Sequence, residues 1–218
     1  MRSLIAFSVA LAMASAADAG MGVGAKIGTP GFGLEATKSI VPMVNARLGF
    51  NMFGFGYETS QDGVDYDYDL SLRSVHLLAD YHPIPLMGFR LSGGALLNKN
   101  KLEMVSQPTS ASFEIGGETY TADQVGTIDG EVSFSSFAPY LGIGWGNAAG
   151  SRIGISTDLG VVFQGAPEVD LSANGLLGSD SGFQSELAEE ANAIEDELGF
   201  FKYYPVFSIG ISIKLTIL

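Results

Sequence analysis

The sequence contains no cysteine, so disulfides cannot stabilise its fold. Secreted domains of this size often depend on disulfides, and a closed network of backbone hydrogen bonds is an alternative source of stability. Basic residues are also scarce, because 11 lysines and arginines stand against 24 aspartates and glutamates, for a formal net charge of −13. Phosphate backbones are bound by basic surfaces, so this balance argues against nucleic acid as a partner.

Long apolar runs are missing after the first twenty residues, so the sequence predicts no membrane-spanning helix in the rest of the chain. Hydrophobic residues nevertheless make up 46% of the sequence, and glycine is abundant, at 29 residues. Apolar residues that are plentiful but never contiguous indicate strands with one apolar face. The length predicts a single domain.

The first nineteen residues have the pattern of a secretory signal peptide. Arg2 precedes an apolar run over residues 4–14, and the small-residue site Ala17-Asp18-Ala19 follows. The run is too short for a membrane anchor. We therefore predict cleavage before Gly20, with residues 1–19 removed and residues 20–218 forming the mature domain.

The remaining sequence alternates apolar and polar residues in the manner of transmembrane barrel strands. In the C-terminal segment FSIGISIKLTIL, isoleucines and leucines occupy one face, and small polar residues with Lys214 occupy the other. Lipid-facing apolar residues and lumen-facing polar residues produce this period of two. We predict an all-β fold, an eight-stranded antiparallel up-and-down transmembrane barrel, with a soluble sandwich and ten strands as alternatives. The predicted strands are 21–28, 31–39, 42–57, 65–82, 87–104, 132–146, 151–171 and 201–217.

Connection lengths predict the orientation of the barrel. The segments SIVP, HPIPLM and GNAAGSR are short, whereas residues 105–131 and 172–200 form long, acidic connections. Bacterial barrels have short periplasmic turns and longer extracellular loops, so this pattern predicts the outer membrane of a Gram-negative bacterium. Within the last loop, Leu187, Ala191, Ile194 and Leu198 recur at helical spacing and predict an acidic amphipathic helix. This helix would cap the barrel mouth, meet a partner or lie in solvent.

The segment SQDGVDYDYDLSLRSV carries three alternating aspartates, Asp65, Asp67 and Asp69. An EF-hand counted from Asp65 would need glycine at its sixth position and glutamate at its twelfth, where this chain has Leu70 and His76. The calcium-loop hypothesis therefore fails. The remaining interpretation is that the three aspartates lie on the inner face at the outer end of a strand and form an acidic rim. This rim would either be solvated or bind divalent cations that are also held by lipid headgroups.

The apolar phase of the same strand changes along its length. Apolar residues lie at even positions from Tyr66 to Leu72 and at odd positions from Val75 to Tyr81. A β-bulge near residues 73–74 would reconcile the two halves. The bulge would turn the three aspartates into the lumen, and Tyr66 and Tyr68 would face outward as part of an aromatic girdle.

Charged residues at inward positions predict a network inside the barrel. An eight-stranded barrel is only wide enough for its side chains to fill, so buried charges there must pair. The network either plugs the lumen and stabilises the barrel, or forms the constriction of a narrow solute path. Its predicted members are Lys26, Glu35, Arg47, Arg90, Asp158 and Lys214, with Asp80 and His76 as further candidates.

Catalytic and metal-binding motifs are lacking. The sequence has no nucleophile elbow, zinc motif or phosphate loop, and its two histidines, His76 and His82, lie toward the periplasmic half of one predicted strand. An outer-leaflet substrate would lie far from both. We predict that the protein is not an enzyme and uses neither a metal nor a cofactor.

Several segments resemble one family of Gram-negative outer-membrane proteins. The segments FAPYLGIGWGN, DLGVVFQGAPEVDLSANG, EANAIEDE and KYYPVFSIGISIKL are similar to the ornithine-uptake porin family, with its carbapenem-susceptibility-associated members. The resemblance implies a small eight-stranded outer-membrane barrel involved in the uptake of basic amino acids. One departure is the terminal Leu218, where such barrels commonly carry an aromatic residue that the assembly machinery reads. We expect Leu218→Phe to raise the outer-membrane yield.

Two functional hypotheses follow. The first is a narrow porin for passive uptake of small solutes such as basic amino acids, which the acidic rim would attract. The alternative is a non-conducting structural or adhesive barrel whose acidic loops contact partners or cation-bridged lipopolysaccharide. The expected partners are outer-membrane lipids, lipopolysaccharide and small solutes, and the barrel is expected to be a monomer.

Overall fold

A computed structural model describes residues 20–61, 63–84, 87–108, 112–115, 118–150 and 152–215. The predicted signal peptide and Leu218 lie outside these ranges. The strands are β1 Met21–Gly28, β2 Gly31–Val41, β3 Val44–Gln61, β4 Val64–Ile84, β5 Phe89–Asn98, β6 Lys101–Pro108, β7 Ser112–Ile115, β8 Glu118–Thr121, β9 Ile128–Ser133, β10 Phe137–Trp145, β11 Ile153–Phe163, β12 Glu168–Ala173 and β13 Tyr203–Leu215. The helices are α1 Ala122–Val125 and α2 Ser181–Glu197, with a 3₁₀ turn at Gly199–Lys202.

Eight of these strands close into an antiparallel ring in the order β4-β3-β2-β1-β13-β11-β10-β5, and β5 pairs again with β4. Closure leaves no free edge around the ring, so backbone hydrogen bonding can hold the wall together without disulfides. The predicted eight-stranded barrel is confirmed. None of the helices in the described ranges is long and apolar enough to span a membrane.

The wall continues beyond the ring on its extracellular side. β4 pairs with β5 over Ser74–Ile84 and with β6 over Val64–Ser71, and β6, β9 and β12 follow in order. β5 and β6 keep the same register against β4, so they form one interrupted strand. We call the sheet formed by residues 53–61 of β3, residues 64–71 of β4, β6, β9 and β12 the extracellular extension.

The predicted bulge near residues 73–74 is wrong. β3 and β4 pair in one unbroken register from Val44 opposite Tyr81 to Gln61 opposite Val64. Even-numbered residues of β4 therefore face inward along its whole length. The apolar phase changes because the outer face meets lipid around the ring and water along the extension, so the backbone needs no correction.

Two apolar clusters lie on the inward face. The first forms an apolar layer across the lumen, on the side of Arg47 that faces the extension. Its members are Leu78, Leu96, Ala138, Tyr140, Val162 and Val206. In the second cluster, Phe183 and Leu187 of α2 pack with Val125 against residues that include Ile128 and Leu171 of the extension. Asp180 begins α2 by accepting hydrogen bonds from the backbone N–H groups of Gly182 and Phe183. The amphipathic helix predicted in this loop thus packs on the sheet.

Candidate functional site: a charge cluster across the lumen

Arg47 lies at the centre of the lumen and is only 1% exposed. Its Nη1 donates to Asp158 Oδ2 at 3.0 Å and to Glu35 Oε2 at 3.3 Å, and its Nη2 donates to Asp80 Oδ1 at 3.0 Å. The three carboxylates come from β2, β4 and β11, whose inward positions meet at this level. One guanidinium therefore ties together three different parts of the wall.

Two further cations complete this arrangement. Lys26 Nζ lies 3.2 Å from Glu35 Oε2, and Arg90 Nη2 donates to Asp158 Oδ1 at 2.8 Å. We call these six residues the waist cluster: Lys26, Glu35, Arg47, Asp80, Arg90 and Asp158. Its three cations balance its three carboxylates, so the buried charges are mutually compensated, as a low-dielectric interior requires.

The structure brings together five of the six predicted lumen charges and the further candidate Asp80. Lys214 faces inward toward the periplasmic end but has no ion pair with a described residue. His76 borders the cluster, with its Nε2 3.9 Å from Glu35 Oε2. Sequence reasoning missed Ser92, which donates to Asp80 at 2.6 Å. Its inward parity was the available signal, since Ser92 lies on the same face as Arg90.

The lumen at the waist is almost filled. A cavity of about 20 Å³, which is room for roughly one water molecule, is lined by residues that include Lys26, Arg47, Asn51 and His76. Several buried polar atoms beside it have no hydrogen-bond partner among the described residues: Arg47 Nε, Asn51 Oδ1 and His76 Nε2. Among the described residues, the space left at the waist is therefore too small to hold an amino acid.

At the periplasmic mouth, the described residues 146–150 of the connection between β10 and β11 pack against the inside of the wall. Ala148 and Ala149 are buried, and Asn45 Nδ2 donates to Asn147 Oδ1 at 3.1 Å. A Cβ atom at Gly22 would collide with the carbonyl oxygen of Ala148, so only glycine fits there. Arg90 Nη1 donates to the carbonyl of Gly146 at 2.6 Å and links this connection to the waist cluster.

The three aspartates of the predicted acidic rim face away from the lumen. Asp65, Asp67 and Asp69 are exposed on the outer face of the extension, because β4 contains no bulge. The inward positions belong to Tyr66 and Tyr68, whose rings stack with centroids 6.0 Å apart. The prediction that these aspartates line the lumen and that the tyrosines form an outward girdle is therefore wrong.

Two of the aspartates belong to a wider acidic surface. Asp67 and Asp69 lie in a groove of about 380 Å³ that is also lined by Glu103, Asp129, Glu131 and Asp170. Lys101 Nζ lies 2.5 Å from Glu103 and 3.3 Å from Glu131. The hydrogen bond to Glu103 raises the pKa of Lys101. The groove faces the surroundings of the barrel, so it cannot act as a filter within the lumen.

Comparisons with known proteins identify solved structures with a similar architecture. No family model matches the chain, and no curated protein matches it. Two crystal structures from Acinetobacter baumannii, CarO2 and CarO, match with TM-scores of 0.58 and 0.56, each at 25% identity. The alignments cover 89% of this chain, together with 98% and 97% of those chains. The chain is a bacterial outer-membrane β-barrel.

The structural neighbours agree with the porin family that the sequence resembles, since CarO is a carbapenem-associated outer membrane protein of Acinetobacter. A major outer membrane protein of Thermus thermophilus also matches, with a TM-score of 0.43 and 14% identity over 91% of this chain and 100% of that one. These neighbours are outer-membrane barrels rather than enzymes.

Proposed function

We propose that this outer-membrane barrel is a narrow porin for small polar solutes and that its waist is closed in the conformation described here. The observation that carries the proposal is the waist cluster itself. An apolar filling of the lumen would stabilise an eight-stranded barrel at least as well as buried ion pairs. A charged lining with unpartnered polar atoms beside a water-sized cavity supports the passage of hydrated, polar molecules.

The carboxylates of the cluster provide a reason for basic solutes to be preferred. If the guanidinium of Arg47 moves aside, Glu35, Asp80 and Asp158 are left without their shared cation. A lysine-like or ornithine-like side chain carries the ammonium group that can replace it. The preference for basic amino acids, which the sequence resemblance implies, would therefore arise at the waist. The outward-facing aspartates of the extension would contribute only a long-range field.

Solute entry into liposomes tests the proposal. The folded mature chain, residues 20–218, is reconstituted, and swelling is followed with ornithine, a neutral amino acid of similar size and glutamate. We expect ornithine to enter fastest, Arg47→Ala to raise the flux of every solute, and Asp158→Asn to remove the preference for ornithine. Asp65, Asp67 and Asp69 changed together to Asn should leave that preference in place.

Arg73→Ala is the matched control, because Arg73 is exposed on the outer face and has no ion pair with a described residue. Its flux should equal that of the unmodified barrel. Absence of entry by every solute, for the unmodified barrel and for Arg47→Ala alike, would refute the porin proposal, provided that heat-modifiable migration proves the barrels folded.

A non-conducting structural barrel is the second candidate. The filling of the waist and the packing of residues 146–150 at the periplasmic mouth favour it. Under this alternative, Arg47→Ala and Arg90→Ala lower the resistance of the barrel to heat and change no flux. Both candidates share the proposals that residues 1–19 direct export and that the barrel is a monomer.

A further inference from the structure

The outer surface along β4, β5 and β6 changes character over a few residues. Around the ring it is apolar, with Leu77 61% exposed and Leu97 59% exposed. On β4 the apolar surface continues through Val75, and the following outward positions toward the extracellular side are Arg73 on β4 and Lys99 after β5. Beyond them, Asp69 and Glu103 begin the acidic face of the extension. A basic level therefore separates the lipid-facing wall from the acidic surface.

Arg73 and Lys99 are neighbours across two adjacent strands. The backbone N–H of Lys99 donates to the carbonyl of Arg73 at 2.8 Å, which continues the antiparallel ladder by one position beyond Ser74 and Asn98. Both side chains are exposed on the same outward face, and neither forms an ion pair with a described residue. Like charges at such opposed positions repel each other, so an anion between them would be stabilising.

Lys101, two positions farther along the same face, differs in this respect. Its ammonium group already contacts Glu103 and Glu131. The two cations nearest the apolar wall are thus the ones left available, while the next cation is neutralised within the protein. Carboxylates above the pair also confine an anion to this level, because they would repel it from the extension.

We propose that Arg73 and Lys99 bind a phosphate group of a phosphorylated lipid in the outer leaflet. The site lies where the apolar wall ends, which is the depth of lipid headgroups. The guanidinium of Arg73 offers paired donors that match phosphate oxygens, and Lys99 adds a second charge. Acyl chains of the same lipid would lie against the wall below, near Leu77 and Leu97. The proposal does not depend on whether the lumen conducts.

The test uses the folded mature chain in a non-ionic detergent, with bisphosphorylated lipid A as the probe and native mass spectrometry as the readout. We expect Arg73→Gln combined with Lys99→Gln to lower the bound fraction about fivefold. Lys101→Gln, the matched control, should bind like the unmodified chain. Arg73→Lys combined with Lys99→Arg keeps both charges and should retain most of the binding.

Enzymatically dephosphorylated lipid A and inorganic phosphate separate the sources of binding. Dephosphorylated lipid should bind no better to the unmodified chain than to the double Gln variant, and free phosphate should not compete at equal concentration. Unchanged binding by a folded double variant would overturn the proposal, and so would an equal loss in Lys101→Gln. The single variants Arg73→Gln and Lys99→Gln provide the same comparison if the double variant does not fold.

Discussion

The ring and the extracellular extension share β3 and β4, yet the two regions place opposite chemistry on the same face. Within the ring, the inward residues of β4 include Ser74, His76 and Asp80, while Val75 and Leu77 face outward. In the extension, the inward positions carry tyrosines and the outward positions carry aspartates. The strand itself is continuous. The surroundings change instead, from lipid outside the ring to water outside the extension.

Each region also stabilises its interior differently. The waist of the lumen is filled by paired charges, whereas the inner face of the extension on β9 and β12 is covered by the apolar side of α2. Loss of a partner in the first case leaves a buried charge uncompensated, and loss of a side chain in the second leaves a cavity. Substitutions in the two regions should therefore differ in how much they lower stability and in how much of the molecule they affect.

Arg47→Leu is expected to have the largest effect. It leaves the carboxylates of Glu35, Asp80 and Asp158 without their shared cation, which should lower the free energy of unfolding of the whole barrel by about 3–5 kcal/mol. Guanidinium titrations followed by the fluorescence of the single tryptophan, Trp145, measure it. The exposed Arg73→Leu should change the value by less than about 0.5 kcal/mol. Equal changes in the two variants would show that the waist cluster contributes nothing to stability.

Phe183→Ala should have a smaller and more local effect. Phe183 is 2% exposed between α2 and the extension, so its truncation should destabilise this contact by about 3 kcal/mol. Hydrogen exchange should accelerate in α2 and β12 and stay unchanged in β13. Phe200→Ala, at a side chain that is 67% exposed, is the control. Faster exchange throughout the ring would mean that the two regions unfold as one unit.

Single cysteines should hardly change stability, but they test the comparison most directly. The chain has no cysteine, so each introduced thiol reports only its own position. A water-soluble maleimide should label Asp67→Cys about tenfold faster than Tyr68→Cys, because only the first faces outward. A lipid-soluble maleimide should label Leu77→Cys and spare His76→Cys. Faster labelling at residue 68 than at residue 67 would show that β4 contains a bulge and that its register with β3 is not continuous.

Alternation along the sequence was sufficient to predict the eight strands, since a period of two depends only on the medium at each face. The same parity predicted the inward positions of Lys26, Glu35, Arg47, Arg90 and Asp158. It failed at Asp65, Asp67 and Asp69, because a change in the apolar phase of a strand does not require a change in its backbone. Which face of a strand carries the apolar residues depends on the medium outside it. A strand that extends beyond the membrane meets lipid along one part and water along the other.

The sequence by itself determined the barrel, its outer-membrane class and the residues available to its lumen, because each of these depends on local alternation and composition. Only the tertiary structure decided which charges meet, since Arg47 contacts carboxylates on three other strands, one of them 111 positions away. It also decided which face the aspartates occupy and what α2 covers. Such pairings depend on the register between strands, and the alternation pattern of one strand does not specify its register with its neighbour.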